Sequence, residues 1–267
     1  MPEGDTVWRT ARSLHRALTG RVLEVADLRV PQLATVDLVG AHVVRTRSHG
    51  KHLLTRLRHE SGDWTLHTHL RMEGSWHLLR PGQRWGRPAH QARVVLGTDA
   101  VTAVGFSLGV VELVATADED SVVGHVGPDL LGPGWGEADR DEAVHRLRAA
   151  PERSVHEALL DQTCVAGIGN MYAAELLFLR GIDPAIPFSR VPDPPGPSGL
   201  VDLGHRLLVM NKERATQATT GDLRQPLWVY ARGGQPCRRC GTRIEVGELG
   251  PVGRERVTFW CPRCQPR

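Results

Sequence analysis

The chain is 267 residues long, 40% hydrophobic and 24% charged, with 29 glycines and 18 prolines, a make-up that excludes a disordered or fibrous polypeptide and fits two domains of about 120 to 140 residues. No apolar run reaches the roughly 18 residues a membrane span needs, and MPEGDTVW is acidic where a signal peptide is basic and then apolar, so a cytoplasmic protein with no membrane partner is expected. Net charge is only +3, but from His205 onward twelve Lys and Arg face five Asp and Glu, a balance of +7 against −4 for the rest; this basic end suits phosphate binding, although a charged face alone is more often solvated surface.

In chain order, Asp5 is expected to cap a first helix that ends near Leu18, with Val7, Trp8, Ala11, Leu14 and Leu18 on one face and Gly20 as the stop. Over 21–117 the pattern changes to short runs rich in Val, Leu and Thr, such as KHLLTRL, WTLHTHL and GVVELVAT, separated by glycine-bearing turns. Such runs predict an antiparallel β-sandwich. Two Gly-Pro pairs in HVGPDLLGPGWG mark a linker at 125–136. Helices are expected over 139–148, 154–160, from Gly169-Asn170 to a stop at Gly181, and over 200–212, with a proline-rich connector at 183–199. The fold class is therefore α+β, with a β-sandwich domain at 1–124, a helical domain at 137–228 and a cysteine-bearing segment at 229–267.

That last segment carries the most specific pattern. Two Cys-x-x-Cys knuckles, Cys237/Cys240 and Cys261/Cys264, stand 20 residues apart with a hairpin-like pattern between them. Four thiolates in two close pairs suit one tetrahedral zinc, and with every position filled by sulfur the ion is structural rather than catalytic. Disulfides are disfavoured in a cytoplasmic chain, and a redox pair would use one knuckle in another context. Six arginines, Arg238, Arg239, Arg243, Arg254, Arg256 and Arg263, lie in or beside the hairpin and could grip phosphates. Cys164, beside an apolar stretch, is expected in the core.

Several separated segments resemble one family, the formamidopyrimidine-DNA glycosylase/endonuclease VIII family. MPEGDTV is similar to its N-terminal active-site signature, SHGKHLL to its lysine-bearing turn, and DQTCVAGIGNMYAAELLFLRGIDP to its helix-two-turn-helix motif; WVYARGGQPCRRCG and RVTFWCPRCQ resemble the two ends of its zinc finger. The segments occur in the family's order over nearly the whole chain. The resemblance implies a bifunctional DNA glycosylase/AP lyase of base excision repair, acting on damaged DNA as a monomer near the bacterial nucleoid, with one structural zinc and no organic cofactor.

Carried over by position, the nucleophile is the amine of Pro2 once Met1 is removed. A terminal amine with a pKa of about 7.7 to 8.0 is partly neutral near neutral pH and can attack a sugar C1′. Glu3 corresponds to the acid/base residue and Lys51 to the motif lysine. Taken alone, Pro2 is an ordinary start before a helix, Glu3 a favourable charge at a helix start, and Lys51 an exposed turn lysine. Met72 corresponds to the wedge that fills the stack when a nucleotide is flipped out; in isolation it would be core. His69 corresponds to a phosphate contact, with His67 a rival on the same face. Asn170, near a helix start, would grip a phosphate or simply cap the helix. Tyr230 and Arg256 resemble phosphate contacts flanking the finger, with Arg254 a rival.

Departures from the family pattern bear on substrate. Thr6 stands where many relatives have glutamate, and in VGFSLGVV the arginine of the purine-specific branch is missing and Leu108 takes the place of its aromatic residue. The segment 215–227 is short where that branch has a longer lesion-covering loop. Together these favour the endonuclease VIII side, oxidised pyrimidines and β,δ-elimination. The alternatives are an oxidised-purine glycosylase of the same family and a non-catalytic protein that binds damaged DNA.

Overall fold

The computed structural model describes residues 2–194 and 196–267; Met1, whose removal the sequence reading requires, lies outside them. The chain divides into two compact units, residues 1–125 and 126–267. Among the described residues no helix is long and apolar enough to cross a membrane.

In the first unit helix α1 (Gly4–Leu18) buries Val7, Ala11, Leu14 and Leu18 on the face their spacing predicts. Eight strands follow: β1 (Val25–Leu28), β2 (His42–His49), β3 (His52–His59), β4 (Gly62–His69), β5 (Ser75–Leu79), β6 (Ala92–Gly97), β7 (Thr102–Phe106) and β8 (Val110–Ala115). They form two four-stranded antiparallel sheets, ordered β2-β3-β4-β8 and β1-β6-β7-β5. One core joins the buried face of α1 to Leu53, Leu57, Leu66 and Val111 of the first sheet and Val94, Leu96 and Ala103 of the second. Each Val or Leu among them contributes about 1.5 to 3 kcal/mol through burial. A short helix α2 (Asp120–Val123) ends the unit.

The helix cap differs from expectation. The residue at the cap is Glu3, with φ −114° and ψ −176°, while Asp5 lies inside the first turn, fully buried, its carboxylate accepting from Thr6 N at 2.7 Å. Asp5 has capping chemistry, but the chain enters the helix two residues earlier than that residue type suggests.

The second unit is helical: α3 (Glu137–Arg148), α4 (Val155–Leu160), α5 (Asn170–Arg180) and α6 (Gly196–Asn211). α6 begins four residues before the expected start, because Pro197 is compatible with a helical first turn, where its missing N–H costs nothing. Gly181 closes α5 at φ 70°, a left-handed angle glycine takes without strain. Leu130, in the stretch expected to be a linker, is completely buried in the core with Leu147, Leu159, Tyr172, Leu176 and Leu208, so the Gly-Pro pairs shape packed chain. A hairpin of β9 (Glu245–Leu249) and β10 (Arg256–Trp260) follows, with its own small core of Phe178, Val229, Cys237, Ile244 and Cys261.

Candidate active site and metal centre

At the N-terminal end Pro2 is half-buried and Glu3 is 1% exposed. Glu3 O accepts the α1 hydrogen bond from Val7 N at 3.0 Å, but its carboxylate makes no capping bond. A buried carboxylate at the positive end of a helix dipole, directly after Pro2, is a group placed to hold or deliver a proton there.

Lys51 lies in the two-residue turn between β2 and β3, where His49 pairs with His52 and Gly50 has φ 54°, as tight hairpins with glycine first require. Register then sets His52 opposite His69, whose titration is lowered first by burial and then by the nearby charges of Arg71 and Lys51. His69, the expected phosphate contact, and its rival His67 differ in their surroundings. His67 is buried and bonded on both sides, to Glu112 Oε2 and to His52 Nδ1, each at 2.8 Å. His69 is half-buried, and its Nδ1 accepts from Arg71 N at 2.9 Å, so the proton of the neutral ring sits on Nε2. His52, His67, Arg71, Glu112 and His125 line a cleft of about 590 Å³.

Met72 stands apart from this group, 64% exposed at the β4–β5 turn. Arg71 before it has φ 53°, a strained angle for a non-glycine residue, and Gly109 leaves it room: a Cβ there would lie 2.1 Å from Arg71 Cγ. Leu108 is buried, its side chain packed over Gly105.

Sequence reading missed a charged cluster on the same sheet. The Glu119 carboxylate accepts from Arg56 Nε and Nη2 at 2.8 and 2.9 Å, from Thr65 Oγ1 at 3.0 Å, and from Arg47. Against the upward pull of burial, these donors hold Glu119 down at about 2.

In the second unit Asn170 is the first residue of α5, with Gly169 at the cap. Its side chain neither caps the helix nor stands open: Oδ1 lies 3.0 Å from His156 Nε2, and Nδ2 donates to Val257 O at 2.7 Å. That places Asn170 against β10 beside Arg256, which is exposed. Tyr230 is half-buried, its ring edge-on to Phe259 at 5.4 Å.

Glu175 was also missed. It is completely buried on α5, and its carboxylate accepts from the backbone N–H groups of Trp228, Val229 and Tyr230 at 2.9, 2.8 and 2.9 Å and from Thr219 Oγ1. A lone acid within the apolar run MYAAELLFL was the available signal. Replacing Glu175 with Gln puts donors against donors and is expected to destabilise the second unit by about 2 to 4 kcal/mol, read as a lower urea midpoint at unchanged slope.

The four sulfurs expected to hold zinc converge. Their ligand atoms all lie within 4.8 Å of one another, with Cys237 to Cys264 at 3.9 Å and Cys240 to Cys261 at 3.4 Å. A tetrahedral ion with 2.3 Å bonds to sulfur needs edges of about 3.8 Å. Burial pushes the Cys261 and Cys264 thiols up while hydrogen bonding to Thr242 pulls Cys240 down; four thiolates gathered within 4.8 Å of one another repel unless a cation sits between them. None of the five cysteines forms a disulfide, and Cys164 is buried, as expected. Gln265 ties the second knuckle to the end of α5, accepting from Cys261 N at 2.9 Å and donating to Ile182 O at 2.8 Å. The centre is a structural zinc site.

Burial holds His52 at about 3, reinforced by His69, His67, His125 and His49, and holds His69 and His156 at about 4. Above pH about 6.5 these rings are neutral folded or unfolded; below it the unfolded chain takes up protons that the folded chain refuses. Stability is therefore expected to fall progressively from pH about 6.5 to about 4. Urea midpoints at about pH 7.5 and 5 check this, and equal midpoints would contradict it.

The chain matches the family models described as formamidopyrimidine-DNA glycosylase N-terminal domain over residues 1–107, formamidopyrimidine-DNA glycosylase H2TH domain over 130–193, and zinc finger found in FPG and IleRS over 234–267. It is 52% identical over 266 residues to a probable endonuclease 8 2 of Streptomyces coelicolor, covering 99% of this chain and 94% of that one. It is 44% identical over 267 residues to the DNA-(apurinic or apyrimidinic site) lyase Nei2 of Mycolicibacterium smegmatis, covering 99% of each. A structure of Lactococcus lactis Fpg with abasic-site DNA superposes with a TM-score of 0.80 at 23% identity over 100% of both chains, a likeness of fold.

Proposed function

The chain belongs to the formamidopyrimidine-DNA glycosylase family, on its endonuclease VIII side, and is a bifunctional DNA glycosylase/AP lyase of base excision repair; from that membership we propose that Pro2 is its nucleophile and that oxidised pyrimidines are its preferred bases. The observation that carries the assignment of the nucleophile is the buried Glu3 carboxylate next to Pro2 at the start of α1.

The neutral Pro2 amine adds to C1′ of the damaged nucleotide, and the bond to the base breaks. Glu3 supplies the proton that lets the sugar ring open or the base depart. The resulting iminium acidifies the C2′ hydrogens; loss of one expels the 3′ phosphate, and a second elimination expels the 5′ phosphate. Lys51 holds a phosphate beside the sugar, Met72 fills the vacated stack, and His69, Asn170, Tyr230 and Arg256 engage the backbone. We take residues 1–124 as the catalytic domain, 125–136 as the connection, 137–228 as the helix-two-turn-helix domain and 229–267 as the finger, in a cytoplasmic monomer whose partner is damaged DNA.

Nicking of duplexes carrying an oxidised pyrimidine, an oxidised purine or a bare abasic site tests the substrate. The abasic and pyrimidine duplexes are expected to be cut faster, leaving phosphate at both ends of the gap. Faster cutting of the purine duplex would reverse the preference, and no cutting at all would leave a protein that only binds damage.

A further inference from the structure

His156 is completely buried on α4, yet its Nδ1 has no hydrogen-bond partner among the described residues. Its other nitrogen meets the Asn170 side chain, and that contact settles both groups. Val257 O stands 2.7 Å from one end of the Asn170 amide. An oxygen placed there would face another oxygen inside contact distance, so the NH2 must take that end. Oδ1 then faces His156 Nε2 at 3.0 Å, and since an amide oxygen only accepts, Nε2 must carry the proton. The bare Nδ1 is what remains of a neutral ring in this tautomer.

We propose that His156 is a positioning residue for DNA binding, fixing the Asn170 amide so that one N–H holds the finger hairpin at Val257 and the other is presented to a DNA phosphate. This rests on the reading of Asn170 as a phosphate contact. Val257 directly follows Arg256, so the same amide that meets the phosphate sets the place of the hairpin arginine. Burial supports the arrangement: a second proton on His156 would be a charged N–H with no acceptor, and the ring is held at about 4.

The test measures affinity for an abasic-analogue duplex and cleavage rate at saturating DNA, with the zinc-loaded full chain. His156→Leu is expected to raise Kd about tenfold, the scale of one lost charge-assisted hydrogen bond, and to leave the saturated rate within about twofold. His156→Gln, whose amide nitrogen reaches the place of Nε2, should restore most of the affinity. His156→Asn, whose amide nitrogen falls at the place of Nδ1, should not. In an Asn170→Ala background His156→Leu should add nothing. Zinc content and melting temperature show that each variant is folded, and if the leucine variant is not, the Gln and Asn variants carry the comparison. A silent His156→Leu, an equal loss in both backgrounds, or equal behaviour of Gln and Asn overturns the role of His156. An Asn170→Ala variant with unchanged Kd overturns instead the reading of Asn170 as a DNA contact, and the proposal with it.

Discussion

Borohydride reduction with abasic-site DNA is expected to trap a covalent adduct on the chain that begins at Pro2, and none on the same chain extended by residues before Pro2. Only a neutral terminal amine can add to C1′ and form an iminium, and an extension turns that nitrogen into an amide with no basic lone pair. The loss should be complete, because no other group in the reading supplies the nucleophile; an adduct on the extended chain would remove Pro2 from that role. Glu3→Gln gives a graded result. The glutamine retains the shape at the start of α1 but cannot deliver a proton, so base release should slow by about 10²- to 10⁴-fold. Trapping on an abasic site, which has no base to expel, should suffer less. Equal losses on damaged-base and abasic substrates would point to a placement role for Glu3.

Removing the zinc, by chelation or by Cys261→Ser, should lower duplex affinity more than about a hundredfold, the scale of losing two or more charge-assisted phosphate contacts. The four thiols cannot stay deprotonated together without a cation, and binding energy at such a site is folding energy. The small core of Val229, Cys237, Ile244 and Cys261 should come apart, taking Arg256 and β10 with it. Residues 1–125 have a separate core and should keep their own unfolding transition. Metal-free protein that still bound duplex DNA as tightly would show that the hairpin is not part of the interface.

What could be read from sequence was what short-range order encodes. The knuckles were plain because two thiolates three residues apart have one common use, and α1 and α5 because a repeating apolar face and a terminal glycine are local signals. Strand alternation predicted the sandwich, whereas pairing order is set by contacts between strands distant in sequence. The polar partnerships were hidden. Glu119 with Arg47 and Arg56, Glu112 with His67, His156 with Asn170, and Glu175 with residues 228–230 all join groups far apart in sequence, with no periodicity to expose them. Asp5 misled because capping chemistry is local while its burial is decided by the packing of α1.

The Glu175 clasp changes what kind of segment residues 228–230 are. By backbone shape they are loop, belonging to no helix or strand. Yet their three N–H groups are bonded to a carboxylate rooted in the middle of α5, so these amides meet solvent only when the clasp between the segment and that helix breaks. In amide hydrogen exchange the entrance to the finger would therefore be protected like regular structure while zinc is bound: a loop in shape, held as firmly as a helix.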